Sequence, residues 1–256
     1  MKPAYRSVFR ELLRRELGER YRGSFLGLLW HLLLPLSQLL VLSWVFSTLL
    51  QARTQFENLS YAAFLALGLW PWSLFSNAVS NSVAALTGNA ALIGKVSLPH
   101  HLLVDAKVTA SVLLDLAGFA VVLLVLLLFG TPLQFSGLPV VLLSLLVLYI
   151  FAVGFANIVA VLNVFMRDVG AAISQLLSLL FFLTPVIYDS SQLSQHLQNI
   201  LHLNPFAAPI NSIRNAFLGL PIDWLRLGIA ALMAIFVAYL GYALLRRSRR
   251  HLEDYL

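Results

Sequence analysis

The chain has 256 residues, of which 60% are hydrophobic and only 11% charged, with a formal net charge of +6. Soluble domains are about 45–50% apolar and about 25% charged, so the composition argues against an ordinary water-soluble fold and for a chain that crosses a membrane repeatedly. With no cysteine, disulfides, thiolate metal sites and thiol nucleophiles are excluded.

Residues 1–24 precede the first apolar run. Tyr5, Val8, Phe9, Leu12, Leu13 and Leu17 recur at helical spacing, while Arg6, Arg10, Arg14 and Arg15 take other faces. The pattern predicts a basic amphipathic helix lying in the membrane surface. A solvated helix has the same stripe, but the nearby apolar run favours the surface. That run starts too late and is too long for the apolar region of a signal peptide, so no cleavable signal is expected.

Six apolar runs follow, over residues 25–50, 60–86, 102–129, 138–165, 169–187 and 224–245. About 20 helical residues cross the hydrocarbon layer, and in lipid each run must be helical to pair its own backbone. The expected fold is an all-α membrane protein of one domain, residues 1–256. It has six transmembrane helices, an N-terminal amphipathic interface helix and short re-entrant outer helices before the last span. Arg167 and Asp168 make the tight turn between the fourth and fifth spans.

Orientation follows from lysine and arginine in the connections. Six crossings put both termini on one side. That side holds Lys2, Arg6, Arg10, Arg14, Arg15, Arg20, Arg22, Lys95, Lys107, Arg167, Arg246, Arg247, Arg249 and Arg250, fourteen of the 17 cationic side chains. The other three are Arg53, Arg214 and Arg226. Both termini are therefore expected in the cytoplasm. The abrupt change after Arg22, with no further charge before Arg53, marks where the chain enters lipid.

The cytoplasmic connection 87–101 reads TGNAALIGKVSLPHH. Gly88 and Gly94 bracket a short apolar helix, Ala90 to Ile93, and Pro99 ends the segment. An apolar helix of this kind needs cover, from a soluble partner or from the bilayer surface. GNAALIGKV imitates a phosphate-binding loop, but five residues separate the glycines and Val96 follows Lys95. The working motif needs four residues and a hydroxyl for magnesium, so nucleotide binding by this chain is rejected.

The outer connection 188–223 is weakly charged. Leu193, Leu197, Ile200 and Leu201 have helical spacing after the candidate caps Ser190 and Ser191. Asn204-Pro205 breaks that helix. Ile210, Ile213 and Phe217 then make a second apolar face ending at Gly219.

Few groups suit catalysis. Asp115 lies inside the third span, where a carboxylate costs about 2.5–3.5 kcal/mol on insertion scales. It is either a functional intramembrane site or the partner of a neighbouring helix. Arg226 is placed to snorkel outward, and His31 is expected to be neutral and hydrogen-bonded. His100 and His101 lack zinc-ligand spacing. No carboxylate pair and no serine–histidine–acid set is evident. Trp30, Trp44, Phe46, Tyr61, Phe64, Trp70, Trp72 and Phe75 crowd the first two spans. They are expected in the interfacial belts, with Trp30, Trp44, Phe46 and Tyr61 as candidates to line a path. Pro35, Pro71 and Pro185 are expected to kink their helices.

The stretch RELGERYRGSFLGLLWHLLLPL, from the basic helix into the first span, resembles the permease subunits of ABC exporters of the ABC-2 class. The closest branch exports O-antigen and related lipid-linked polysaccharides, with teichoic-acid exporters nearby. GNAALIGKVSLPHHLLV, NVFMRDVGAAISQLLSLLFFLTPVIY and LNPFAAPINSIRNAF agree with it, in the same order along nearly the whole chain.

The resemblance implies a second copy of the chain with the path between the two, and a separate ABC ATPase subunit that holds ATP and magnesium. No cofactor or metal is then expected in this chain. It makes residues 3–20 a gate helix, and makes 87–101 a coupling loop in which Asn89, Leu92, Ile93, Lys95 and Pro99 meet the ATPase. The outer pieces become periplasmic gate helices, and the substrate a polysaccharide on an undecaprenyl-type lipid. Arg14, Arg15, Arg20 and Arg22 would attract the lipid phosphate at the inner membrane surface, as they would any anionic membrane lipid. No nucleic-acid partner is expected. Three alternatives differ in what they require. A drug or small-lipid ABC-2 permease changes only the cargo. An ion-coupled carrier would depend on Asp115 and need no ATPase. An intramembrane glycosyl- or acyltransferase would turn over unaided.

Overall fold

The computed structural model describes residues 3–19, 29–45, 60–95, 98–190, 193–201 and 203–255. Arg20, Arg22, Phe46 and the side chain of His31 lie outside the described residues. Ten α-helices and no strand are found among those described.

Helix α1, Pro3–Glu19, keeps the stripe read from the sequence. Leu12 is buried, Tyr5, Val8 and Phe9 pack against the core, and Arg6, Arg10 and Arg14 are exposed. Among the described residues, four helices are long and apolar enough to cross a membrane. They are α3, Tyr61–Ser82; α5, His101–Leu128; α6, Leu138–Phe165, with the 3-10 turn before it; and the Trp224–Arg249 part of α10, Trp224–Tyr255. The first and fifth apolar runs form shorter helices, α2, Leu29–Trp44, and α7, Val169–Leu183.

α3 is the axle of the fold. Ser60 caps it by accepting from the Ala63 amide at 3.2 Å, which satisfies one of the orphan donors of the first turn. The helix ends at Ser82, although the apolar run continues to Leu86. Ser82 Oγ bonds back to the Ala78 carbonyl at 2.7 Å, a contact that competes with helical geometry. The chain continues through a 3-10 turn, Thr87–Asn89, into α4, Ala90–Ile93.

α10 lies along α6 at a crossing built from glycines. A Cβ on Gly154 would stand 2.6 Å from the Ala238 nitrogen, and one on Gly241 would stand 2.5 Å from the Gly154 carbonyl oxygen. Small residues permit such backbone approach where lipid provides no hydrophobic drive between helices. α10 also outruns its apolar segment, continuing to Tyr255. Leu252 is fully buried there, and the Tyr255 ring meets Phe165 edge-on at 5.2 Å. The charge-rich end is thus a packed helical extension.

Three expectations need correction. Phe64, Trp70, Trp72 and Phe75 are buried within the chain, so they are neither belt nor path. Phe206, at the start of the outer helix, inserts among them at 4.4 Å from Phe75 and 6.0 Å from Trp72. Pro35 and Pro71 lie inside helices, but Pro185 sits in the turn after α7; without an amide hydrogen it cannot extend the ladder. The first outer helix, α8, Gln195–Leu201, begins after Ser194, whose carbonyl accepts from the Gln198 amide at 3.0 Å. Ser190 is therefore too early to be its cap, and Ser191 lies outside the described residues. The second outer helix, α9, Ala207–Leu218, falls where expected, with Ile210, Ile213 and Phe217 fully buried. Gly219 ends it at φ 69°, the left-handed conformation that glycine adopts without strain.

Candidate functional site

On the side carrying most of the basic residues, α1 meets the connection between α3 and α5. Arg15 Nη2 donates to Asn89 Oδ1 at 2.5 Å and to Glu16 Oε1 at 3.5 Å. Lys107 Nζ, one and a half turns into α5, lies 3.8 Å from Glu16 Oε2. Asn89 Nδ2 donates to the Ala85 carbonyl at 2.9 Å. These side chains, with Asn81 and Gly88, line a cavity of about 380 Å3. Two cations, one carboxylate and two amides make it a polar chamber with excess positive charge.

The expected coupling residues divide into two groups. Lys95 is exposed and Leu92 and Pro99 are half-buried, so these can meet a partner. Asn89 and Ile93 are buried, at 9% and 8%. They hold the loop against α1 and the core. The start of the loop is therefore tied to α1 through Asn89, with Ala91, Gly94 and Lys95 exposed.

Arg14 is exposed beside Arg15. Trp30 and Trp44 project from α2, 45% and 59% exposed. Tyr61 is half-buried and donates to the Ile187 carbonyl at 2.5 Å. Asp115 accepts from Asn77 Nδ2 at 3.1 Å, and one turn away Asn81 Nδ2 donates to Ser111 Oγ at 3.1 Å. Asp115 thus belongs to a polar seam joining α3 and α5. Among the described residues, no group of three or more His, Asp or Glu is placed to hold a metal.

The end of α3 opposite Asn89 holds a feature that charge counting missed. Arg214 on α9 is buried. Its Nε donates to the Phe64 carbonyl at 3.2 Å, and its two terminal nitrogens donate to the carbonyls of Pro185 and Val186. The guanidinium also stacks on the Phe64 ring, 3.8 Å from its centroid. Burial pulls its pKa down to about 9, so it remains cationic at neutral pH. Asn204 completes the clasp, donating to the Leu183 carbonyl at 3.0 Å and accepting from the Phe206 amide at 2.9 Å. The sequence held one signal. Position 214 continues the buried 210, 213, 217 stripe, so an arginine there must face inward.

Among the described residues the bundle thus joins an amphipathic arm to the short loop after α3 at one end, and holds α9 against α3 and the turn after α7 at the other. The family model described as ABC-2 type transporter matches residues 7–218. The chain belongs to the ABC-2 type transporter family. Among curated relatives, an O-antigen export system permease protein, RfbA, of Myxococcus xanthus is 34% identical, covering 83% of this chain and 81% of the relative. Another, of Klebsiella pneumoniae, is 27% identical over 96% of this chain and 93% of its own length. The polysialic acid transport protein KpsM of Escherichia coli is 24% identical over 92% and 91%. This ABC-2 chain is thus similar in extent, as well as in sequence, to polysaccharide permeases.

Proposed function

We propose that the chain is the membrane permease subunit of an ATP-driven exporter that moves a lipid-linked polysaccharide of the O-antigen class across the bacterial inner membrane. Support comes from relatives named for O-antigen export and polysialic acid transport, matched over 81–93% of their own lengths. In this reading the chain crosses six times, with α2 and α7 as the first and fifth crossings and both termini in the cytoplasm. Two copies enclose the path, onto which Trp30 and Trp44 project. A separate ATPase binds ATP and magnesium, and this chain carries no cofactor.

The observation that carries the mechanism is the Arg15–Asn89 bond. It ties the amphipathic arm to the loop that would receive the ATPase. A push on Lys95 and Leu92 reaches Asn89 through one turn of helix. From there it passes to α1 through Arg15 and to α5 through the Glu16–Lys107 pair. Helices and brackets of this kind transmit displacement because packed interfaces are not continuously deformable. Arg14 and Arg15, with Arg20 and Arg22 in the adjoining sequence, supply the positive potential that draws a lipid phosphate toward the inner surface.

The test is export in cells carrying Arg20→Gln with Arg22→Gln, with membrane insertion and ATPase co-purification measured alongside. Export is expected to fall with both controls intact. Unchanged export would remove the lipid-phosphate role. Failure to co-purify any ATPase with the unaltered chain would remove the coupling role.

A further inference from the structure

The flank formed by α5, α6 and α10 carries a polar cluster that the export reading leaves unused. Asp105 sits one turn into α5. Its Oδ2 accepts from Tyr242 Oη at 2.7 Å and its Oδ1 accepts from Asn157 Nδ2 at 3.4 Å. A turn away, Thr109 Oγ1 and Tyr149 Oη are 3.0 Å apart. The His101 ring stands edge-on to Tyr242 at 5.8 Å. A carboxylate has about four acceptor positions, so each Asp105 oxygen, with one hydrogen bond, keeps acceptor capacity to spare. Among the described residues, no lysine or arginine is bridged to Asp105.

Two cavities meet at His101 and Tyr242. The inner one, about 470 Å3, has an apolar floor of Phe9, Leu102, Ile150, Val153 and Ala238, with Asp105 in its wall. The outer one, about 330 Å3, is bordered by Pro99, Leu245, Arg246 and Arg249. Arg246 lies one turn beyond Tyr242 on α10, and Arg249 nearly another. Phe9 belongs to the amphipathic arm, and an arm lying in the membrane surface would put the groove at the depth where headgroups give way to chains. Along α10 the cationic mouth is thus followed, one turn of about 5.4 Å away, by Tyr242, whose hydroxyl reaches the Asp105 carboxylate on α5, and then by the apolar floor at Ala238.

We propose that this groove binds a membrane phospholipid with a primary-ammonium headgroup, of the phosphatidylethanolamine type. The phosphate sits on Arg246 and Arg249, and the ammonium donates to Asp105. An acyl chain covers Phe9, Ile150, Val153 and Ala238. The order of charges selects the headgroup. A two-carbon ethanolamine spans about one helical turn, the step from Arg246 to Tyr242, and Tyr242 is the residue whose hydroxyl meets Asp105. A glycerol headgroup leaves Asp105 without a counter-ion. Choline has the charge but no N–H to donate. The bound lipid would cement the arm to α5 and α10 from the lipid side, opposite the Arg15–Asn89 bracket.

The test uses the purified full-length chain in detergent, challenged with defined lipids and read by native mass spectrometry. Phosphatidylethanolamine should be retained about tenfold over phosphatidylcholine or phosphatidylglycerol, roughly what one charge-assisted hydrogen bond contributes. Stepwise methylation of the amine should erode that preference on the unaltered protein, without relying on any variant. Asp105→Asn should reduce it to the phosphatidylcholine level, and Arg246→Gln with Arg249→Gln should weaken retention of all three lipids. Equal retention of the ethanolamine and choline lipids would overturn the proposal. So would an unchanged preference in Asp105→Asn, or preferential retention of a polyprenyl phosphate.

Discussion

Arg214 occupies the space that a Cβ on Gly68 would need, so the outer helix closes onto α3 only because position 68 has no side chain. The guanidinium fills the gap and is held by three backbone carbonyls around it. Gly68→Ala should therefore destabilise the protein by about 1–3 kcal/mol, the usual range for overpacking. In an Arg214→Ala background the same change should cost far less. Thermal unfolding in detergent of the two single variants and the double variant measures the coupling. Additive effects would mean that the two positions do not share the space.

The α6–α10 crossing gives a comparison within one helix. Gly241→Ala drives a methyl into the Gly154 carbonyl, whereas a Cβ on Gly228 meets nothing within 4 Å. The first should lower thermal stability. The second should leave it unchanged or raise it by up to about 1 kcal/mol through helix propensity. Equal effects would contradict the close crossing.

Asn89→Ala removes the acceptor of Arg15 and the donor to Ala85. Because Arg15 is about a third exposed, the expected cost is only about 1–2 kcal/mol. That corresponds to a fall of a few degrees in Tm for a chain of this size. Export should fall much further than stability while ATPase co-purification persists. Parallel losses in all three would make Asn89 merely structural.

Asp115→Asn preserves a hydrogen-bonding partner for Asn77 in the α3–α5 seam. ATP-driven export should survive it, with less than a twofold change. An ion-coupled carrier would lose transport outright, so the variant separates the two classes by initial rate.

The chain contains no cysteine, so single replacements report topology cleanly. Lys95→Cys and Asp223→Cys sit on exposed residues at opposite ends of the bundle. Impermeant maleimide on intact spheroplasts should label only the second, and labelling after lysis should reach both.

What could be read from sequence followed how local the cause was. The runs that became α3, α5, α6 and the apolar part of α10 were legible because lipid demands continuous apolar residues. The outer helices were legible because Ile210, Ile213 and Phe217 repeat at helical spacing. The clasp at Arg214 was hidden because its partners are backbone carbonyls, which leave no sequence signature. The Asp105–Tyr242 bond joins residues 137 apart, and no local pattern pairs them. The helical end of α10 lay beyond the apolar run 224–245 because hydropathy marks where apolar residues stop, and the helix itself continues to Tyr255. The aromatics of α3 were assigned to a belt or path because composition cannot tell a ring facing lipid from one receiving Phe206.

Reconstitution into sealed vesicles, with and without a partner ATPase, bears most directly on whether this chain is a motor-driven permease. Transfer of a lipid-linked polysaccharide to the opposite leaflet or lumen should require this chain, the ATPase and hydrolysable ATP together. It should fall sharply when Asn89→Ala breaks the bracket. Transfer by this chain alone, or under an ion gradient without ATP, would contradict the account.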